Sequence, residues 1–566
     1  MMRKIRLSRE EIAGIEVGTT AVSKAAARFL TIFFLSFVFL VPAVQYGLDG
    51  FRLPAGGALL QGLGERRDGA GDSGFVSAAK NLNALVLKKI DLLESSLEDD
   101  SFLRNIFLPP LQYVYLRYLG QGNEKVVVGR QGWLFYRPGV EALYGKPFLS
   151  REQLRLREQG SQLWEKPVQP DPVAAIVHFK KQLAARNIEL LVVPVPVKPS
   201  FEISRLSKRS SGAGSDGRLR LPLENRSLKE FKRQLQEAGV LYFDVAEVLR
   251  DFGLQYPDIY LKTDTHWRPR AMEHVAKALG DFIETRKVIT TKKLSLRLEQ
   301  EQHRGTGDIA QMLRLPADSS FFAGQSVELN QVIGEGSEFW QPQNSAELLL
   351  LGDSFTNIFS QKGLGWGVGA GFAEHLSYNL QAPVDTLVRN DNGAYVTREM
   401  LATELLRGRD RLAGKKLVVW EFAERELALG DWKMIDLHLG TQNESEFYVV
   451  DPGERVKVTG KVAAISASPR PGSVPYRDNI TTIHLVDLQS GEQNLDGEQA
   501  LVYGFGMIDN ELTRLGALRP DDRVELLLGS WDDVESKYGS YRRSPLDDEM
   551  MELELPNWVL SDDETI

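Results

Sequence analysis

From about residue 171 onward, apolar positions in this chain alternate between two spacings. Val173, Ile176, Val177, Phe179 and Leu183 recur at helical intervals behind Asp171-Pro172, a helix-starting pair. Asn187 ends that run, and residues 188–195 follow as an unbroken apolar strand. The same alternation predicts a helix over 227–237, a strand over 240–243, a strand over 348–351, a helix over 369–380, a strand over 384–388, a helix over 397–406 and a strand over 417–422. Short buried strands separated by helices predict an α/β fold with a mostly parallel sheet covered on both faces. Upstream, Val126-Val127-Val128 leads through Gly129 and Gly132 into Trp133-Leu134-Phe135-Tyr136, the pattern of a hairpin.

Beyond about Asp431 the texture changes. Residues 447–450, 456–466, 480–488, 500–504 and 524–528 are β-branched runs separated by turn clusters such as Pro452-Gly453, which predicts a separate small β-sandwich or barrel. Tyr476, Trp531, Tyr538 and Tyr541 in this region suit either sugar stacking or ordinary core packing.

The N-terminal part has a different pattern again. Between Arg28 and Asp49 lie twenty residues without a charge, FLTIFFLSFVFLVPAVQYGL. Twenty helical residues span about 30 Å, the thickness of a bilayer's hydrocarbon core. Arg3, Lys4, Arg6, Arg9, Lys24 and Arg28 precede the stretch, which predicts a cytoplasmic N-terminus and the bulk of the chain outside. A cleaved signal peptide is the rival reading, with Val41-Pro42-Ala43 as a poor cleavage site. The glycine-rich stretch 54–74 reads as a tether, and Leu82, Leu85, Leu87, Ile90 and Leu93 give residues 81–98 helical spacing. A second apolar stretch, 107–119, contains Pro109-Pro110 and is too short and interrupted to span a membrane. The predicted organisation is therefore 1–28 cytoplasmic, 29–48 transmembrane, 49–80 linker, 81–430 α/β domain and 431–566 β-rich domain.

Composition narrows the chemistry. At 566 residues, net charge −9 and 43% hydrophobic content, the chain is an ordinary multidomain globular protein. No basic run with interleaved aromatics points to nucleic acid. With no cysteine there is no disulfide, thiolate ligand or cysteine nucleophile, and the seven histidines lack metal-ligand spacing, so neither metal nor other cofactor is expected.

Two short pieces far apart carry the candidate chemistry, Asp264-Thr265-His266-Trp267 and Gly352-Asp353-Ser354. Ser354 follows Leu348-Leu349-Leu350-Leu351 and opens a helix, so its hydroxyl sits at a strand-to-helix turn whose backbone N–H groups can meet an oxyanion. His266 can take the serine proton and Asp264 can hold the imidazole tautomer, which names acyl transfer as the reaction class. Each piece has a plainer reading. Gly-Asp-Ser is a common turn, and the segment around Asp264 can simply start the helix that follows Pro269.

With these residues, the chain resembles the alginate O-acetyltransferase family, SGNH-hydrolase-like periplasmic proteins of bacterial exopolysaccharide clusters. The matching pieces run in order. They are Gly129 to Tyr136 (GRQGWLFY), Val193 to Pro199 (VPVPVKP), Asp264 to Trp267 (DTHW), Gly307 to Leu313 (GDIAQML), Leu351 to Phe355 (LGDSF), and Val418 to Phe422 (VVWEF) followed by Arg425-Glu426. The resemblance spans roughly residues 80–430 and leaves the C-terminal β-domain outside. It implies an SGNH-hydrolase-like sheet, with Ser354 as nucleophile, His266 as base and Asp264 as its orienter. It also implies a polysaccharide substrate and a multi-pass membrane partner that passes acetyl groups across the inner membrane. The Asp/His pair precedes the serine, as in the acetyltransferase branch. The usual Gly-x-Asn-Asp block is not plain, and Asn390-Asp391-Asn392-Gly393 at a strand end is the nearest source of further oxyanion donors, with Asn392 and Gly393 as candidates. A tight turn is the plain alternative for that Asn-Gly pair. Two other functions stay open here: an acetyl-esterase with the same site, and a non-catalytic scaffold that binds polysaccharide or a secretion complex.

Overall fold

The computed structural model describes residues 23–48, single positions between 83 and 90, and most of 102–560. Stretches outside the description include 161–166, 208–221, 291–293, 391–392 and 441–446. The chain divides into two compact units, Met1–Ile106 and Phe107–Ile566.

In the first unit a helix runs over Lys24–Leu48, where the sequence predicts the membrane anchor. Among the described residues, no helix is long and apolar enough to cross a membrane. The predicted tether and nearly all of the predicted helix over 81–98 lie outside the described residues. A further helix, Phe102–Val114, carries Pro109 and Pro110 inside it rather than stopping there, and loosens at its exit into a π turn over Tyr115–Leu119.

In the second unit a hairpin comes first, β1 (Val126–Val128) paired antiparallel with β2 (Leu134–Tyr136). The central sheet then assembles from β3 (Glu189–Val195), β4 (Leu241–Tyr242), β7 (Leu348–Gly352), β8 (Asp385–Val388) and β9 (Leu417–Ala423). Between β4 and β7 the chain inserts an antiparallel pair, β5 (Arg297–Gly305) and β6 (Gln325–Ile333). The five central strands lie in the order β4-β3-β9-β7-β8, every pairing parallel.

The unbroken apolar strands follow from this topology, because both faces are covered. Leu191, Val193, Leu348, Leu350 and Val419 enter one core, with Trp267 and the helix Pro269–Arg286. Leu190, Val192, Leu349, Leu351, Val418 and Trp420 enter the other, with the helix Pro172–Ala184. Leu348 to Leu351 are fully buried, and each such burial stabilises by about 1.5–3 kcal/mol. Asp171 caps Pro172–Ala184 by accepting from the N–H groups of Val173 and Ala174 at 2.9 and 3.2 Å. The helix Pro269–Arg286, in contrast, takes Arg268 as its cap, which leaves Asp264 free of that duty.

After β9 come β10 (Arg455–Ile465), β11 (Asn479–Gln489), β12 (Ala500–Ile508), β13 (Glu511–Leu512), β14 (Arg523–Ser530), β15 (Arg543–Ser544) and β16 (Pro556–Val559). The order β12-β16-β14-β10-β11, with β11 also paired to β12, closes a five-stranded barrel. Closure removes the exposed edges that five open strands would present. The predicted strand over 447–450 is not one. Its N–H groups are instead taken up singly, Val450 by the Asn557 side chain at 2.7 Å and Tyr448 by the Gln499 carbonyl at 2.7 Å.

Sugar stacking is not open to most of the barrel aromatics. Trp531 and Tyr538 are buried, with Trp531 edge-on to Tyr503 at 5.2 Å and Tyr538 stacked on Trp558 at 4.8 Å. Tyr541 meets Phe505 at 5.4 Å, and Tyr476 lies under the Arg542 guanidinium. The barrel is fastened to the α/β part by Arg409 with Asp532, Arg411 with Glu535 at 3.3 Å, and Arg407 with the Tyr503 hydroxyl at 3.2 Å. Since Trp531 is core, Trp531→Ala should lower unfolding free energy by about 3–5 kcal/mol in a denaturant titration. A loss under about 1 kcal/mol would mean the ring is not core.

Candidate active site

Ser354 sits where parallel-sheet topology places reactive groups, just past the carboxyl end of β7, with β8 and β9 on either side. It is the first residue of a short helix, Ser354–Asn357, whose cap is Asp353. Gly352 is required at the turn, because a Cβ there would stand 2.4 Å from Thr356 Oγ1. Asp264 and His266 reach the same point from the loop ahead of Pro269–Arg286. His266 Nε2 lies 2.8 Å from Ser354 Oγ, and His266 Nδ1 lies 2.6 Å from Asp264 Oδ1. All three side chains are buried, with Ser354 the most exposed at 8%.

Four donors converge on the Asp264 carboxylate. Oδ1 also accepts from the His266 backbone N–H at 3.0 Å, and Oδ2 accepts from the Asp308 N–H at 2.9 Å and the Trp366 indole at 2.8 Å. Burial by itself would raise the Asp264 pKa. The His266 charge and these hydrogen bonds overcome it and hold the group well below the usual carboxylate range. Burial likewise works to lower His266, but the Asp264 charge and hydrogen bond leave it above 6.5. Burial, then the Asp264 charge, pushes neighbouring Asp308 up to about 6. Asp308 Oδ1 accepts from the Thr265 N–H at 2.8 Å, so the two acidic segments brace one another. Gly307 makes this approach possible: its φ is +94°, and a Cβ would fall 2.4 Å from the Thr263 carbonyl oxygen.

Lys198 ties three of the sequence motifs together. Its ammonium is buried and donates to the carbonyls of Leu134, Lys262 and Asp264 at 2.6, 2.9 and 3.0 Å. The rings of Trp133 and Phe135 lie 5.1 and 5.2 Å away. Burial lowers its pKa to about 7 against the opposing pull of Asp264, Asp308 and Glu202. On the other side, the Trp267 indole donates to the Phe355 carbonyl at 3.2 Å, docking the His266 segment onto the serine helix.

Asp264, His266 and Asp308 offer ligand atoms within 4.8 Å of one another. Both His266 ring nitrogens are already hydrogen-bonded, Nδ1 to Asp264 and Nε2 to Ser354, so a cation there would have to displace one of them. The cluster is built to poise a proton. Of the two further oxyanion candidates, Asn392 lies outside the described residues. Gly393 has φ +78° and stands against the Glu426 carboxyl, as a turn glycine would. Asn390 is held by side-chain hydrogen bonds with Asn357 at 3.0 Å and Gln361 at 2.5 Å.

Sequence reasoning assigned no role to Lys198, Asp308 or Trp366. The first two lie within recognised motifs. Trp366 carried one usable signal, its place in the glycine-rich run Gly363 to Gly371.

A hydrolase-like α/β sheet with a serine, histidine and aspartate hydrogen-bonded in series at its carboxyl edge defines the class. The family model described as SGNH hydrolase-like domain, acetyltransferase AlgX matches residues 126–424, over half of the chain, and the chain belongs to that family. The probable alginate O-acetylase AlgJ of Pseudomonas aeruginosa is 24% identical over 326 residues, which cover 55% of this chain and 72% of AlgJ. Among solved structures, the O-acetyltransferase domain of Pseudomonas putida AlgJ is similar at 20% identity, covering 55% of this chain and 95% of its own, with a TM-score of 0.41. Pseudomonas aeruginosa AlgX is similar at 15% identity, covering 73% and 92%, with a TM-score of 0.38.

Lys198→Met should leave three carbonyl oxygens without their donor. An unfolding free energy lower by at least about 2 kcal/mol, together with reduced turnover, is expected. Unchanged stability in a thermal-shift comparison would contradict the clamp.

Proposed function

We propose that the protein is an O-acetyltransferase that moves acetyl groups through an acetyl-serine intermediate onto hydroxyls of an exopolysaccharide. The observation that carries this reading is the unbroken series of hydrogen bonds from Ser354 Oγ through His266 to Asp264, at 2.8 and 2.6 Å. Family membership supports the acetyl group, and the name of the Pseudomonas aeruginosa relative supports a polysaccharide such as alginate as acceptor.

In the first half-reaction His266 Nε2 takes the proton from Ser354 Oγ as the oxygen attacks the donor's acetyl carbonyl. The tetrahedral intermediate collapses to acetyl-serine, and His266 returns its proton to the departing donor group. In the second half-reaction a sugar hydroxyl gives its proton to His266 and attacks the acetyl-serine carbonyl. Collapse of that intermediate frees Ser354, which takes the proton back. Asp264 keeps the Nδ1–H tautomer and offsets the imidazolium charge in both halves. The Ser354 backbone N–H, at the first helical position, has no acceptor within its own helix and is the leading oxyanion donor.

The location we propose rests on the N-terminal sequence alone. The uncharged segment in Lys24–Leu48 and the arginines and lysines before it fit one membrane-spanning helix, with the enzyme on the periplasmic face of the bacterial inner membrane. A multi-pass membrane protein delivering acetyl groups is the partner this arrangement calls for.

Ser354→Ala should abolish polymer acetylation, and acetylation persisting undiminished would sink the assignment. The base must be neutral to act, and the His266 pKa is raised above 6.5. The acid limb of kcat/KM should therefore fall above pH 6.5, and a limb below that value would contradict the Asp264–His266 coupling. Stability runs the other way: the raised His266 pKa stabilises the fold fully below pH 6.5, and that contribution is lost as pH rises through the raised value.

A further inference from the structure

Behind the serine helix lies a second pair of acidic side chains that the transfer chemistry does not use. Asp353 and Glu421 face each other at the ends of β7 and β9, Glu421 within the motif Val418 to Phe422. Their hydrogen bonds are distributed unequally. Both oxygens of Asp353 accept from backbone, Oδ1 from the Phe355 N–H at 2.8 Å and Oδ2 from the Ala423 N–H at 2.8 Å. Glu421 accepts twice on one oxygen only, with Oε2 taking the Asp353 N–H at 3.0 Å and the Thr356 hydroxyl at 2.8 Å. Its other oxygen, Oε1, is buried and meets no donor.

A buried ionised carboxylate oxygen with no donor is strongly disfavoured, whereas the same atom as the hydroxyl of a carboxylic acid carries its own proton and no charge. The Asp353 carboxyl lies close enough to add a like charge, so ionising both groups in this buried place is unfavourable. One proton must therefore reside on the pair. Asp353 uses both oxygens as acceptors, and Glu421 uses one.

We propose that Glu421 is a neutral carboxylic acid in the working protein, with its proton on Oε1, and that it is a positioning residue holding the Ser354 turn through Asp353. Burial, followed by the Asp353 charge, raises the Glu421 pKa well above the ordinary carboxyl range, in keeping with this assignment. The acid's carbonyl oxygen fixes the Asp353 N–H and the Thr356 hydroxyl at opposite ends of the turn. The Asp353 carboxylate in turn caps the serine helix and joins it to the end of β9. Glycine at 352 keeps the approach open, since a Cβ there would stand 3.2 Å from Glu421 Oε2.

The role in turnover rests on the reading of Ser354 as nucleophile, whereas the protonation state does not. The test uses the full-length protein and two separate readouts. The first is infrared difference spectroscopy at neutral pH. Wild type and Ser354→Ala should show a protonated-carboxyl carbonyl band, shifted in heavy water, that Glu421→Gln lacks. The second is acetyl-ester turnover. Glu421→Gln keeps one acceptor oxygen and one donor, so its kcat should stay within about threefold of wild type. Glu421→Ala strands the Asp353 N–H and the Thr356 hydroxyl, and its kcat should fall by at least about tenfold with KM little changed. If Glu421→Ala fails to fold, the band and the glutamine variant decide alone. A band unaltered in Glu421→Gln, or a glutamine variant crippled in kcat, overturns the proposal. Loss of all turnover in Ser354→Ala with the band intact separates the two readings.

Discussion

A buried negative charge at Asp264 is the constraint on which the rest of this site depends. An ionised carboxylate taken out of water is prohibitively costly unless hydrogen bonds and a counter-charge replace its hydration. Here the replacement is drawn from distant parts of the chain. The imidazole and N–H of His266, the N–H of Asp308 and the indole of Trp366 all point at its two oxygens. The donors come from three loops, those of His266, Asp308 and Trp366, so the loops at the carboxyl edge of the sheet are fixed relative to one another by a single anion. Lys198 does the complementary work, a cation satisfied by three carbonyls from two segments, one at Leu134 and one at Lys262 and Asp264. Together the two groups explain why short motifs scattered over some 300 residues belong to one site.

The serine side is organised by the same logic with opposite stakes. Asp353 caps the helix, Glu421 supports Asp353, and Gly352 leaves space for both. Nucleophile and base therefore meet as two separately braced assemblies, joined by the Ser354–His266 bond and by Trp267 resting on Phe355. Such bracing suits a two-step transfer, in which His266 must move a proton in each direction without the ring drifting.

Much of this was legible in the sequence because the physics is local. Runs such as Leu348 to Leu351 are apolar at every position, and only a strand covered on both faces accommodates that. The Asp264/His266 and Ser354 pieces declared themselves by residue type, and the structure brings them within hydrogen-bonding distance. The hairpin Arg297–Gly305 with Gln325–Ile333 was not legible, since its first strand is polar and exposed along nearly its whole length and carries no alternation to read. The Asn-Gly pair near residue 392 read as a tight turn or an oxyanion feature; Gly393 has φ +78° against Glu426, and Asn392 lies outside the described residues. Trp531 and Tyr538 read as core packing ahead of sugar stacking, and both are buried, though an aromatic's composition alone does not reveal which face it will bury. No pattern in one dimension could reveal which of two acidic residues 68 positions apart keeps a proton.

The most direct measurement of the central claim is the site of covalent acetylation. The full-length protein would be incubated with an activated acetyl ester, quenched in acid and mapped by peptide mass spectrometry. A single acetyl group on Ser354, present in wild type and absent when His266 is replaced by alanine, is the predicted result. Acetyl appearing at another residue while Ser354 stays unmodified, or Ser354 labelling that is indifferent to His266, would contradict it.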